Sequence, residues 1–181
     1  MKNLRSEVIK YSKMLNTKKL SALRSGNISV RYKEGFLITP SGAKYSSLKE
    51  KDIVFVSLQG EFDKKKGIPS SEWRFHQDIY KNKVESKAIV HAHSSCATAI
   101  STHGKKIPAF HYMIAMAGGN DIKCAKYATY GTRELSKNIL KALKRRNACL
   151  IGNHGQIAFS ENLSKAFELA EEVENLSNQY I

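Results

Sequence analysis

Ala88-Ile89-Val90-His91-Ala92-His93 is a short apolar run that closes on two histidines spaced two apart. The pattern predicts a buried strand over 88–93. Side chains alternate across a strand, so His91 and His93 face the same way. Two imidazoles on one face, at the end of a buried strand, have the arrangement of metal ligands, although such pairs also arise on surfaces by accident. A third histidine strengthens the metal reading. His154 lies between Asn153 and Gly155, in a tight turn separating two strands predicted within 148–160. Three histidines and an open position are what a catalytic zinc site requires. The plainer alternative is that His154 only caps its turn. His76, His103 and His111 lack such a setting and are expected to be structural or surface residues.

Upstream of the strand, Ser70-Ser71-Glu72 opens a helix predicted over 71–82. Serines are ordinary helix N-caps, and a glutamate in the first turn suits the helix dipole. The functional alternative is that the hydroxyls and free N–H groups hold a phosphate. Glu72 would then stand beside it, near the metal, as a general acid/base. Two further loops, Ser25-Gly26-Asn27 and Thr39-Pro40-Ser41-Gly42, offer hydroxyl, amide and backbone donors. Phosphate cradles use such groups because glycine admits close backbone approach. Each loop alone reads as a turn; the three loops and the histidines together read as a site.

Helical spacing of Leu4, Val8, Tyr11 and Leu15 predicts an opening helix over 3–19. Two strands follow around Lys33-Glu34-Gly35, then an apolar strand over 52–58 that turns at Gln59-Gly60. Helices are predicted over 132–146 and 161–179, the latter with Leu163, Ala166, Phe167, Ala170, Val173 and Leu176 on its apolar side. Helices mixed with mostly hairpin-linked strands, without repeats or low-complexity linkers, point to one α/β/α-layered domain over 1–181.

The chain has 181 residues, 41% of them apolar, enough to bury a real core and too many for disorder. No segment approaches the ~20 uninterrupted apolar residues of a membrane span. The charged opening MKNLRSEVIKYSKML has no apolar core or small-residue cleavage site, so no signal peptide is expected. Three dispersed cysteines without a CxxC pair suit a reducing compartment, so a cytoplasmic protein is expected. Lys and Arg (30) outnumber Asp and Glu (16), a net charge of +14. The excess is scattered, with short clusters only at Lys64–Lys66 and Lys144–Arg146, and no aromatic-interleaved basic motif accompanies it. Nucleic acid is therefore not the expected partner; a diffuse positive field would help gather small anions.

Seven segments, SGNISVR (25–31), LITPSG (37–42), PSSEWRFH (69–76), AIVHAH (88–93), PAFHYMIAMAGG (108–119), YATYGTREL (127–135) and NHGQIA (153–158), occur in an order that resembles the class II aldolase/adducin family. The likeness runs from about residue 3 to residue 181. It implies an α/β/α-layered domain with a largely antiparallel central sheet, assembled as a homotetramer with active sites at subunit interfaces. His91, His93 and His154 match the family's zinc ligands. Glu72 matches the catalytic glutamate, which also closes the metal site when substrate is absent. Asn27, Ser41, Gly42, Ser70 and Ser71 match the phosphate-binding residues. Tyr112, which composition alone would place in the core, matches the tyrosine that handles the proton on the aldehyde oxygen. The implied activity is zinc-dependent cleavage of a ketose 1-phosphate into dihydroxyacetone phosphate and a short aldehyde.

The family also holds 4-epimerases, sugar-phosphate dehydratases and the non-catalytic adducin head. The epimerases carry Asp where this chain has Glu72, and an adducin-like module is expected to lack intact ligands. The aldolase branch is therefore the expected one. Two local departures, GNHG before the third ligand and HAHSSC after the second, leave the metal and phosphate ends intact. Aldolases of the family continue past the closing helix with a tail that covers the aldehyde half of the substrate, whereas this sequence ends at Ile181. A more open aldehyde end, tolerant of several short aldehydes, is the expectation.

Overall fold

A computed structural model describes residues 3–181. Its centre is a seven-stranded sheet in the order β3-β2-β1-β4-β7-β6-β5. The strands are β1 (Asn27–Tyr32), β2 (Gly35–Ile38), β3 (Val54–Ser57), β4 (Ala88–Ala92), β5 (Cys124–Ala125), β6 (Ala148–Ile151) and β7 (Gly155–Ser160). Every pairing is antiparallel except β5 with β6. That one is parallel because the chain between them crosses over through a helix, as parallel neighbours require.

Helices α1 (Leu4–Thr17), α3 (Ser95–Ser101) and α5 (Leu163–Tyr180) cover one face. Val8, Leu15, Ile100, Phe167, Ala170 and Val173 pack there on Ile28, Val30, Val90 and Ala158. Helices α2 (Trp73–Asn82) and α4 (Arg133–Ala142) cover the other, where Phe75, Ile79, Leu135 and Ile139 meet Phe36, Ile89, Ile157 and Phe159. The result is the expected α/β/α layering. Strand β4 lies mid-sheet with both faces covered, so all five of its residues are buried, and it reads as a continuous apolar run.

The elements depart from the sequence expectation in three places. Helix α4 stops at Ala142, and Arg145 turns through a positive φ of 58° before β6. Helix α3 was not foreseen. Its first amides, Cys96 N and Ala97 N, donate to the Glu174 carboxylate of α5 at 2.9 Å each, so its cap comes from a distant part of the chain. Strand β5, two residues long, is too short to show periodicity.

Candidate active site

Three loops converge at one end of the sheet. Ser70 N donates to Thr39 O and Ser41 N to Ile68 O, both at 3.0 Å, which laces the TPSG loop to the PSSE loop. Thr39 N donates in turn to Ile28 O of β1, at 3.1 Å. The third loop, residues 21–26, wraps the end of β4: the Ser21 hydroxyl accepts from His93 N at 2.9 Å. Gly26 is required there. It has φ +78°, and a Cβ would lie 2.7 Å from His91 O. Arg24 ties this loop to the TPSG loop by donating to Gly42 O at 3.1 Å.

The loops enclose a cavity of about 400 Å³ lined by Asn27, Ser41, Gly42, Ser70, Ser71, Glu72, His93 and His154. Eight of the ten residues expected at the site therefore line one cavity. A ninth, His91, is fully buried just behind them. Its ring lies 4.8 Å, centroid to centroid, from both His93 and His154, which are themselves 4.8 Å apart. Gly155 brings the β6–β7 hairpin this close. A Cβ on it would sit 2.3 Å from Ala92 O and 3.2 Å from His93 Cα. Asn153 supplies the left-handed turn residue, φ 53°, a conformation asparagine tolerates.

Tyr112 is the tenth residue, and the fold does not bring it to this cavity. It opens a 3₁₀ turn, Tyr112–Ala117, is 82% exposed rather than buried in the core, and borders a different hollow with Phe110 and His111.

Glu72 occupies the N-cap position of α2 but makes no capping hydrogen bond. Its carboxylate turns inward, with Oε2 3.2 Å from His91 Nε2 and Oε1 3.2 Å from His154 Nε2. His91 Nε2 and His93 Nε2 are 2.9 Å apart. One donor atom from each of the four residues falls within 4.8 Å of the others. Around a tetrahedral zinc with bonds of about 2.0–2.1 Å, ligand atoms lie about 3.3 Å apart, which the contacts of 2.9 and 3.2 Å match. Two more observations support that fit. Glu72 Oε1 is buried without a hydrogen-bond donor among the described residues, as a metal-facing oxygen would be. His91 Nδ1–H donates to Gln156 O at 2.8 Å, which leaves its Nε2 lone pair facing the cluster.

The electrostatics agree. Burial holds the His93 imidazole down to about 3 and that of His154 to about 4, with help from the neighbouring histidines, so both are neutral at pH 7. Burial alone would raise the Glu72 carboxyl. The neighbouring His91 and His154 rings and the Asn27 amide together overrule it and hold Glu72 at about 2. Neutral imidazoles beside an ionised carboxylate are the protonation states that a divalent cation needs.

Sequence reasoning missed several contributors. Arg24 is a cation on the cavity wall, and Tyr127 and Tyr130 border its mouth, 55% and 66% exposed. Nothing in sequence spacing marks any of the three. His76 is fully buried beneath the site; its position four residues after Glu72, on the same helix face, was the available signal.

A family model for the class II aldolase and adducin N-terminal domain matches residues 6–181. L-fuculose phosphate aldolase of Escherichia coli (strain K12) is 52% identical over 157 residues, spanning 87% of this chain and 73% of that protein. A 5-methylthioribulose-1-phosphate/5-deoxyribulose-1-phosphate aldolase of Rhodospirillum rubrum is 47% identical over 177 residues, 98% of this chain and 80% of that one. A solved L-fuculose 1-phosphate aldolase superposes with a TM-score of 0.93 at 42% identity, covering 97% of this chain and 84% of the other.

Proposed function

Because the chain belongs to the class II aldolase/adducin family and is a lyase of its metal-dependent aldolase type, we propose that it cleaves a ketose 1-phosphate, L-fuculose 1-phosphate or a close analogue, between C3 and C4. The products are dihydroxyacetone phosphate and a short aldehyde such as L-lactaldehyde. The observation that carries this reading is the cluster of Glu72, His91, His93 and His154 at the end of a cavity otherwise lined by small polar loops.

His91, His93 and His154 would hold one divalent ion. Three imidazoles with room for a further ligand favour zinc. The ion would supply Lewis-acid stabilisation of the negative charge that bond cleavage leaves on C3 and the C2 oxygen. The other roles belong to the chain itself. Ser41, Gly42, Ser70, Ser71 and one amide hydrogen of Asn27 bind the phosphate, with Arg24 as counter-charge. This fixes the substrate by a group remote from the reacting carbon. Glu72, ionised in the free site, removes the C3 proton in synthesis; in cleavage it returns to C3 a proton that it has first taken up from solvent.

Tyr112 takes the C4 hydroxyl proton as its own phenol proton passes to solvent. Its exposure suits a role at the cavity of a neighbouring subunit, in the homotetramer that we propose for the assembled enzyme. Light scattering on the purified protein tests that assembly. The free thiols of Cys96, Cys124 and Cys149 favour a cytoplasmic location.

The Rhodospirillum relative, alignable over nearly the whole chain, supports a second substrate reading, a 5-deoxy- or 5-methylthio-ribulose 1-phosphate. A coupled assay for dihydroxyacetone phosphate across L-fuculose, 5-deoxyribulose and 5-methylthioribulose 1-phosphates, with and without chelator, separates the two. Release that survives complete metal removal, or no release from any of the three, overturns the aldolase reading.

A further inference from the structure

A chain of buried hydrogen bonds runs away from Glu72 into the interior between β1 and α2. Asn27 Nδ2 donates to Glu72 Oε2 at 3.0 Å. Asn27 Oδ1 is in short contact with His76 Nε2. His76 Nδ1 lies 2.7 Å from the Ser29 hydroxyl, which lies 2.8 Å from the Tyr80 hydroxyl. All five residues are buried, at 8% exposure or less. The two periodicities explain the alignment. Glu72, His76 and Tyr80 recur every four residues on one face of the helix, and Asn27 and Ser29 every two on one face of the strand.

The direction of every proton in this chain follows from its first member. An ionised carboxylate only accepts, so Asn27 must turn its NH2 toward Glu72. Its Oδ1 then needs a donor, so His76 must carry its proton on Nε2. The bare Nδ1 must accept from Ser29, whose oxygen accepts from Tyr80. The faces of the imidazole offer no alternative partner. Phe75 and Phe36 stack on it with centroids at 4.9 and 6.5 Å, and no ion pair reaches it among the described residues. Were the His76 proton on Nδ1, two acceptors would meet at Asn27 Oδ1. Relieving that by rotating the amide would press its oxygen against the Glu72 carboxylate.

We propose that His76 is a positioning residue for the aldolase reaction: its Nε2–H fixes the Asn27 amide so that the amide donates to Glu72 and aims the carboxylate at the histidine cluster. The inference rests on the functional reading above and extends it to a residue that touches neither metal nor substrate. Burial, which holds the imidazole down to about 3, keeps it neutral across the working range of pH, as the role requires. The remaining Asn27 amide hydrogen stays available to the cavity, so one side chain serves the carboxylate and the phosphate together.

The test combines a spectrum with a mutant cycle. Long-range proton–nitrogen NMR on histidine-labelled wild-type protein, metal-free and zinc-loaded, should show His76 as the neutral Nε2–H tautomer in both; an Nδ1–H tautomer overturns the proposal. Zinc affinity, measured by chelator competition, should fall about 10-fold in His76→Leu, near the lower end of what outer partners of a metal site contribute. His76→Gln, which keeps an N–H for Asn27, should restore most of it. In an Asn27→Leu background, His76→Leu should add no further loss; additive losses refute action through Asn27. The kcat for dihydroxyacetone phosphate release should follow the same pattern. If no ketose 1-phosphate is cleaved, the functional reading falls, while the tautomer and the zinc cycle still decide the role of His76. The tautomer decides it even if His76→Leu does not fold.

Discussion

Metal-free protein should be markedly acid-labile, and the size of the effect follows from three buried imidazoles. His76 and His93 are held at about 3 and His154 at about 4, in each case chiefly by burial. In the unfolded chain each returns to an ordinary value of about 6.5. Between pH 6.5 and 4 the unfolded chain therefore binds protons that the folded protein refuses, and stability falls as pH falls. At pH 5 each histidine favours the unfolded state by about 2 kcal/mol relative to pH 7, so three give about 6 kcal/mol. The low values of His93 and His154 include repulsion from neighbouring histidines, which a first proton does not meet, and this lowers the total to about 4 kcal/mol. Glu72 does not enter this window. Its folded value of about 2 means that its stabilising contribution is complete above the unfolded carboxyl value of about 4.3 and is lost only below it.

A loss of about 4–6 kcal/mol is a large share of the about 5–15 kcal/mol that a folded domain typically has. At about 2–4 °C per kcal/mol for a chain of this size, the melting temperature should drop by roughly 10–20 °C between pH 7 and pH 5. The assay is calorimetry or circular dichroism melting of chelator-treated protein at half-unit pH steps. A zinc-loaded sample run in parallel should start higher and fall more steeply, as protons compete for the same lone pairs. A metal-free melting temperature constant to within about 3 °C across that window would mean that the histidines are not held neutral by burial.

Other expectations are direct. Wild-type protein should carry about one zinc per chain by elemental analysis, and His93→Ala should lose most of it; full occupancy in a His91→Ala, His93→Ala double variant would remove the metal site. Glu72→Gln preserves shape but not proton transfer, so turnover should fall about 10²–10⁴-fold in protein that still folds, and near-normal turnover would reduce Glu72 to a helix-start residue. Inorganic phosphate should compete with the ketose 1-phosphate, and Ser71→Ala should raise its inhibition constant; equal turnover of unphosphorylated sugars would dismiss the phosphate cradle. Gly155→Ala places a methyl 2.3 Å from Ala92 O, so chemical denaturation should show a loss of at least about 1–3 kcal/mol, with zinc affinity falling because the third ligand moves with its hairpin.

How legible the site was depends on whether its parts share a local period. His91 and His93 were readable because a strand repeats every two residues, and AIVHAH was apolar enough to identify itself as a strand. His154 was readable from its turn, since Asn153 and Gly155 announce the hairpin. The layered fold was readable from the alternation of helix and strand patterns. What escaped was stabilised at a distance: the amides of α3 are capped by Glu174, 78 and 77 positions further along, and β5 exists only because β6 lies beside it.

Glu72 shows how the two kinds of information combine. By local rules it is a first-turn acid next to serines, and the dipole argument accounts for it without any function. The fold instead leaves the helix start without a side-chain cap and turns the carboxylate inward, to 3.2 Å from two imidazoles. Burying a lone carboxylate there would be strongly unfavourable. It is tolerated because Asn27 donates to one oxygen while the other, without a donor, faces the histidines. Asn27 is itself held by His76, four residues past Glu72, which sequence alone marks only as a structural or surface histidine. The helix period was present in SSEWRFH all along. What it lacked was the partner strand, because an i, i+4 pair of polar residues means solvent or a buried network depending on what packs across from it. Here the opposing residues are Asn27 and Ser29, spaced by the strand period. Meeting of those two periods across the β1–α2 interface makes the interior of this protein polar where the Glu72 carboxylate is held.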